Sequence, residues 1–190
     1  ALSLEITNSG TIYSENDYGI KLIEAEKITI TNEAGGIIKT DPSATDDLIA
    51  IGGTKIGNCG TCVDESTTSS GEGLTLQNYG TIDSYQQTLY GGKNSAHSSK
   101  KTKIYNYDGA TIDATNIYAI RFDYAEDFTL NNYSGATIQT ENSYGAVSVL
   151  SGETVAIDNE GTITAANKWG VYCYYCEDVT LTNSGTITAT

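Results

Sequence analysis

The side chains best suited to chemistry are four cysteines in two Cys-x-x-Cys pairs, Cys59-Gly-Thr-Cys62 and Cys173-Tyr-Tyr-Cys176. Four thiolates at such spacings invite a tetrahedral zinc site. A second group is acidic: Glu126 with Asp127, Glu153, and Glu177 with Asp178 recur at one position of a repeat and offer the hard oxygens that calcium takes. Arg121, the sole arginine, has Asp123 two residues on, and a basic group among carboxylates is what polysaccharide cleavage uses for acid–base work. The single histidine, His97, lies in the polar run Asn94-Ser-Ala-His-Ser-Ser with no nucleophile motif beside it. Of the 14 tyrosines, Tyr79, Tyr107 and Tyr133 each follow an asparagine directly. Whether any of these groups meet depends on the elements that carry them.

Those elements repeat. Asn8, Asn32, Asn58, Asn78, Asn106, Asn132, Asn159 and Asn183 are each followed by a turn glycine and then an apolar residue, which is isoleucine in every case except Cys62. Two residues before each Asn stands Ile or Leu, and four before it another residue that is mostly apolar, the alternation of a strand with one buried face. A further strand closes each coil, as in Tyr18-Gly-Ile-Lys-Leu22, Tyr118-Ala-Ile-Arg-Phe122, Tyr144-Gly-Ala-Val-Ser-Val149 and Trp169-Gly-Val-Tyr-Cys173, with an aromatic residue opening it. A period of about 25 residues exceeds the shorter solenoid repeats. The pattern predicts an all-β chain, one right-handed parallel β-helix over residues 1–190 with about 7.5 coils, handedness following the rule for parallel crossovers. The eight asparagines then form a ladder, their amides donating and accepting along the stack.

This frame sorts the chemistry. With Cys62 in the third coil and Cys173 in the seventh, the pairs stand four rungs apart, roughly 19 Å, too far for one zinc ion or for a disulfide between pairs. Each pair is expected to close on itself as a disulfide in an oxidising setting, with free thiols and bonds between subunits as alternatives. The carboxylates Glu126, Asp127, Glu153, Glu177 and Asp178 fall in consecutive coils, where calcium between rungs or simple screening by salt would relieve their repulsion. Arg121 and Asp123 read as a surface ion pair rather than a catalytic cluster, so no enzyme is expected. The tyrosine row makes an outer aromatic stripe, either a sugar- or protein-binding surface or good strand-edge packing.

A formal charge of −14, with Lys100-Lys101-Thr102-Lys103 the one basic run, argues against nucleic acid. No apolar stretch approaches the roughly 20 residues of a membrane helix. Phrases such as Leu4-Glu-Ile-Thr-Asn-Ser-Gly-Thr-Ile12, Ile157-Asp-Asn-Glu-Gly-Thr-Ile163 and Leu181-Thr-Asn-Ser-Gly-Thr-Ile187 resemble the repeats of bacterial autotransporter passenger domains and related surface adhesins. That resemblance implies a secreted, surface-displayed β-helix used for adhesion, aggregation or coating. The cysteines depart from it, as such passengers tend to avoid them.

The repeat begins at Leu4, Ile6, Asn8 and Ile12 and finishes at Val179, Leu181, Asn183 and Ile187, with no polar cap at either end. Solenoid ends expose strand edges, so the expected function is an extracellular structural subunit of a bacterial surface. It would stack head to tail into a filament, its partner being itself. An adhesin presenting the tyrosine row and the segments 41–47 and 91–101 to a glycan or host surface is the alternative, and a polysaccharide-active enzyme the third reading.

Overall fold

The computed structural model describes residues 3–15, 17–23, 27–41, 49–54, 73–91, 101–142 and 144–190. The chain winds through three parallel sheets, one strand of each per coil. The first sheet holds β1 (Ser3–Asn8), β4 (Lys27–Asn32), β7 (Gly73–Asn78), β10 (Thr102–Asn106), β13 (Asp127–Asn132), β16 (Thr154–Asn159) and β19 (Asp178–Asn183). The second holds β2 (Thr11–Ser14), β5 (Ile37–Thr40), β8 (Thr81–Ser84), β11 (Thr111–Ala114), β14 (Thr137–Thr140), β17 (Thr162–Ala165) and β20 (Thr186–Ala189). The third holds β3 (Ile20–Ile23), β6 (Ile49–Thr54), β9 (Gln87–Gly91), β12 (Tyr118–Asp123), β15 (Gly145–Leu150) and β18 (Trp169–Tyr174). This is a parallel β-solenoid of about six turns with coils of about 26 residues.

The alternation read from sequence packs the core. Ile28, Leu74, Phe128 and Val155 stack in one column of the first sheet, and Ile30, Leu76, Ile104, Leu130 and Ile157 in the next, all at most 2% exposed. The second sheet contributes Ile38, Ile82, Ile112, Ile138 and Ile163, each fully buried. A solenoid core is one side chain deep per sheet, so every rung buries its own residues against the rungs above and below.

One expected coil is absent. Asn32 pairs in register with Asn78, and Ile38 with Ile82, so no rung lies between them for Asn58 or Cys62. Six turns replace the 7.5 expected, and Thr54 ends a third-sheet strand rather than opening a new coil. The physical reason lies in the residues after Cys62. Val63-Asp-Glu-Ser-Thr-Thr-Ser-Ser-Gly-Glu has no second or third apolar position with which to build a third-sheet strand, and a rung without one would leave the core open on that side. The turn after the Asn comes in two lengths, and the extra residues do sit outside the strands. In the longer form a glycine takes the left-handed conformation, as Gly135 does at φ +80°. In the shorter form the turns nest so closely that a Cβ on Gly185 would lie 2.1 Å from the Gly161 carbonyl oxygen.

Candidate functional site

The asparagine ladder runs the length of the described rungs with a fixed polarity. The side-chain Nδ2 of each Asn donates to Oδ1 of the next rung: Asn8 to Asn32 at 2.8 Å, Asn32 to Asn78, Asn78 to Asn106 and Asn106 to Asn132 at 2.9 Å, then Asn132 to Asn159 and Asn159 to Asn183 at 2.7 Å. The same amide also donates to a main-chain carbonyl one rung on, as Asn106 does to Thr137 at 3.0 Å. The ladder is seven-membered rather than eight, and Asn58 lies outside the described residues. Every interior member is buried, so the row is scaffold and leaves no polar strip for a ligand.

At the first and last described rungs Asn183 Nδ2 donates to the Gly185 carbonyl of its own turn at 3.3 Å, as Asn159 does to Gly161, and Asn8 Oδ1 accepts from Gly10 N at 3.3 Å, as Asn78 Oδ1 does from Gly80 N. Leu4 is 40% exposed and Val179 and Leu181 each 47%, whereas residues of the same columns inside the stack are covered. Ile6, Ile12 and Ile187 pack against the core only on their inner side.

Tyr79, Tyr107 and Tyr133 stack as a row. Tyr79 and Tyr107 have ring centroids 4.2 Å apart and planes within 1°, and Tyr107 and Tyr133 stand 5.0 Å apart at 13°. Burial between its neighbours, and then a hydrogen bond with Tyr79 that favours the neutral phenol, push the Tyr107 phenol up to about 12. The ring faces turned toward one another within the row cover each other, and only the outer faces of Tyr79 and Tyr133 are turned away from it.

The acidic positions Glu126, Glu153 and Glu177 line one corner, with Asp127 and Asp178 in a column that Thr154 interrupts. Among the described residues no three His, Cys, Asp or Glu side chains converge as a metal site. Threonine at the middle rung separates the two aspartates, so their carboxylates are two rungs apart. Cys173 and Cys176 are half-buried free thiols, not the expected disulfide. Burial first, and then the neighbouring Cys176, push the Cys173 thiol up to about 12, so it is a poor nucleophile. Cys173 packs over Val149 and Cys176 beside Gly152, where both serve as small apolar fillers. Cys59, Cys62 and His97 lie outside the described residues, as do Pro42 to Asp47 and 92–100 of the two long segments.

Arg121 forms the expected pair, a two-pronged bridge to Asp123 at 2.9 and 3.0 Å, and its guanidinium also lies 5.2 Å over the Tyr118 ring. No family model matches the chain, and neither a curated protein nor a solved structure matches it. The fold therefore stands on its own register, and the autotransporter-like phrases identify an architecture rather than a family.

Two features escaped the sequence reading. The corner between the third and first sheets is turned by a non-glycine residue in the left-handed region in three coils, Tyr124 (φ 56°), Ser151 (φ 55°) and Tyr175 (φ 52°). No residue type announces it, since two tyrosines and a serine occupy the position. The second is Asp83 stacked on Asp113 on the outside of the second sheet. Burial raises both carboxyls, and Asp113 and Glu141 raise Asp83 further. The period-two alternation could have shown that these two outward aspartates share a column.

Proposed function

We propose that the chain is an extracellular structural subunit that extends along its own axis, one copy stacking head to tail on the next. The observation that carries this reading is the match between the first and last rungs. Laid on β19 in the register of every interior pair, β1 brings Leu4 over Val179, Ile6 over Leu181 and Asn8 over Asn183. On the second sheet Ile12 meets Ile187. The Asn183 amide then donates to Asn8 Oδ1, which continues the donor direction of the six interior ladder bonds. Main-chain groups follow suit: Ser184 N donates to the Asn159 carbonyl, and Thr186 N to that of Gly161, so Ser9 N and Thr11 N would find the carbonyls of Asn183 and Gly185. Covering half-exposed leucine and valine side chains is worth about 1 kcal/mol each, and the strand edges become paired. Because the contact joins unlike surfaces and does not close, it generates a filament. Placement at a bacterial surface rests on the autotransporter-like resemblance.

The test is electron microscopy and sedimentation of the purified 190-residue chain across concentration and salt. Fibres of one-coil width that Leu181→Lys abolishes support the reading. Monomers under every condition, or fibres indifferent to that charge, would sink it.

A further inference from the structure

The three sheets do not end level. The first two reach a seventh rung with β19 and β20, whereas among the described residues the third sheet stops one rung lower at β18, which pairs with β15 alone. The result is a ledge whose floor is the free edge of β18 and whose inner walls are Val179 and Leu181 of β19 and Ile187 of β20. Val179 and Leu181 are each 47% exposed, and Val171 and Cys173 on the floor are half-buried, while Val147 and Val149 directly below them are fully buried. The seventh rung is thus two-thirds of a coil around an apolar interior that lacks its third side.

Stacking of a second copy does not close that side. A copy laid on β19 and β20 begins with β1 and β2, so its own third-sheet strand β3 arrives one rung above the ledge. Between β18 and that strand a gap two rungs wide remains, roughly 9.6 Å, which is the width that one additional strand takes.

The main chain fixes both ends of such a strand. At the entry, Gly145 N donates to the Ile117 carbonyl and Trp169 N to that of Tyr144, so the Lys168 carbonyl is the next acceptor in the series. At the exit, the left-handed corner residues Tyr124 and Ser151 donate their N–H upward to the carbonyls of Leu150 and Tyr174, at 2.6 and 2.7 Å, and Tyr175 N is the next donor. The side chains set its sequence. Ile187 leans on Gly170 so closely that a Cβ there would lie 2.4 Å from its methyl group, so the residue above Gly170 must be small, as Ala119 and Ala146 are in the coils below. The positions above Val171 and Cys173 face the open interior and call for apolar residues. Those above Trp169, Tyr172 and Tyr174 lie outside, against a row of aromatic rings.

We infer that the ledge over β18 is a docking site for an extended peptide strand of a partner protein, added parallel to β18 and reading aromatic, small, apolar, polar, apolar. Edge pairing supplies its affinity and the two inward apolar side chains its register. The ledge is present in the single chain, so the inference does not rest on stacking.

Trp169, the only tryptophan, lies on the floor strand and serves as the reporter. The 190-residue chain, diluted until it sediments as a monomer, is titrated with a synthetic peptide of the β12 sequence, Asn116 to Ala125, which has the required pattern and no tryptophan. The expected result is a saturable emission change and a thermal midpoint that rises with peptide concentration. Binding should weaken about tenfold or more when the order of the peptide's residues is shuffled to invert the alternation, and likewise in Leu181→Lys. Peptides N-methylated at alternate residues make the test independent of any protein variant, since methyls in the phase facing β18 should abolish binding and those in the opposite phase should not. The inference is overturned if the peptide fails to bind at millimolar concentration, if the shuffled peptide binds equally, or if the two methylation phases act alike. An emission change on raising protein concentration without peptide would make a second copy the occupant and overturn it too. Monomers that bind the peptide without ever forming fibres would keep this site while removing the stacking reading, and fibres that never bind it would do the reverse.

Discussion

A column of asparagines runs up the inside of this solenoid and a pair of stacked aspartates stands on its outside, and only the asparagines are at ease. The interior asparagines each carry a donor and an acceptor, so a row of them is self-complementary and every added rung satisfies the last. The exterior Asp83 and Asp113 carry acceptors only. Stacked one rung apart they repel, and the column is tolerable because Lys39 precedes them and Gln139 follows, its Nε2 donating to Asp113 Oδ2 at 2.9 Å. A solenoid amplifies whatever it repeats, so a side chain is fit for stacking when it can bond to a copy of itself. The tyrosine row meets the same requirement by ring faces instead of hydrogen bonds.

The comparison is tested most severely inside. Asn106→Leu should cost about 3 kcal/mol in urea unfolding, because the Asn132 side-chain Oδ1 and the Thr137 main-chain carbonyl lose their donor while buried. Asn183→Leu at the exposed last rung should cost under about 1 kcal/mol, and equal losses at both positions would show that ladder continuity is not what matters. Next in size, Tyr107→Ala removes three ring contacts, with Tyr79, Tyr105 and Tyr133, and should lower stability by about 1–3 kcal/mol, roughly two to three times the effect of Tyr79→Ala.

Ser151→Gly addresses a rung-repeated strain rather than a contact. It should raise the thermal midpoint by the equivalent of about 1 kcal/mol, since glycine adopts the left-handed corner without penalty. The smallest effect lies on the acidic column. Folding raises the pKa of Asp83 and Asp113 above the ordinary value near 4. The folded chain therefore holds protons that the unfolded chain has released, and stability falls as pH rises from the ordinary carboxylate range through the raised folded pKa. Asp113→Asn should flatten that fall and stabilise the chain at neutral pH by roughly 0.2–1 kcal/mol. A stability profile as steep as the parent's would remove like-charge repulsion from the account.

The ladder, the two-length turns and the tyrosine row were legible because each depends on one residue type at one position of the repeat. The spurious coil at Asn58 shows the limit of such a signal. Ile56, Asn58, Gly60 and Cys62 satisfy the first two strands of a rung, yet a rung also needs a third strand, and that requirement is carried by residues far downstream of the motif. The left-handed corners have no compositional trace at all.

The direct pairing of Asn32 with Asn78 spans 46 residues, where other neighbouring rungs are 24 to 28 apart. Closure entropy grows only with the logarithm of length, so this larger circuit costs about 0.5 kcal/mol more than its neighbours. In kinetic terms the rungs from Asn78 onward form the shorter circuits and should assemble first, with the two N-terminal coils docking onto that seed.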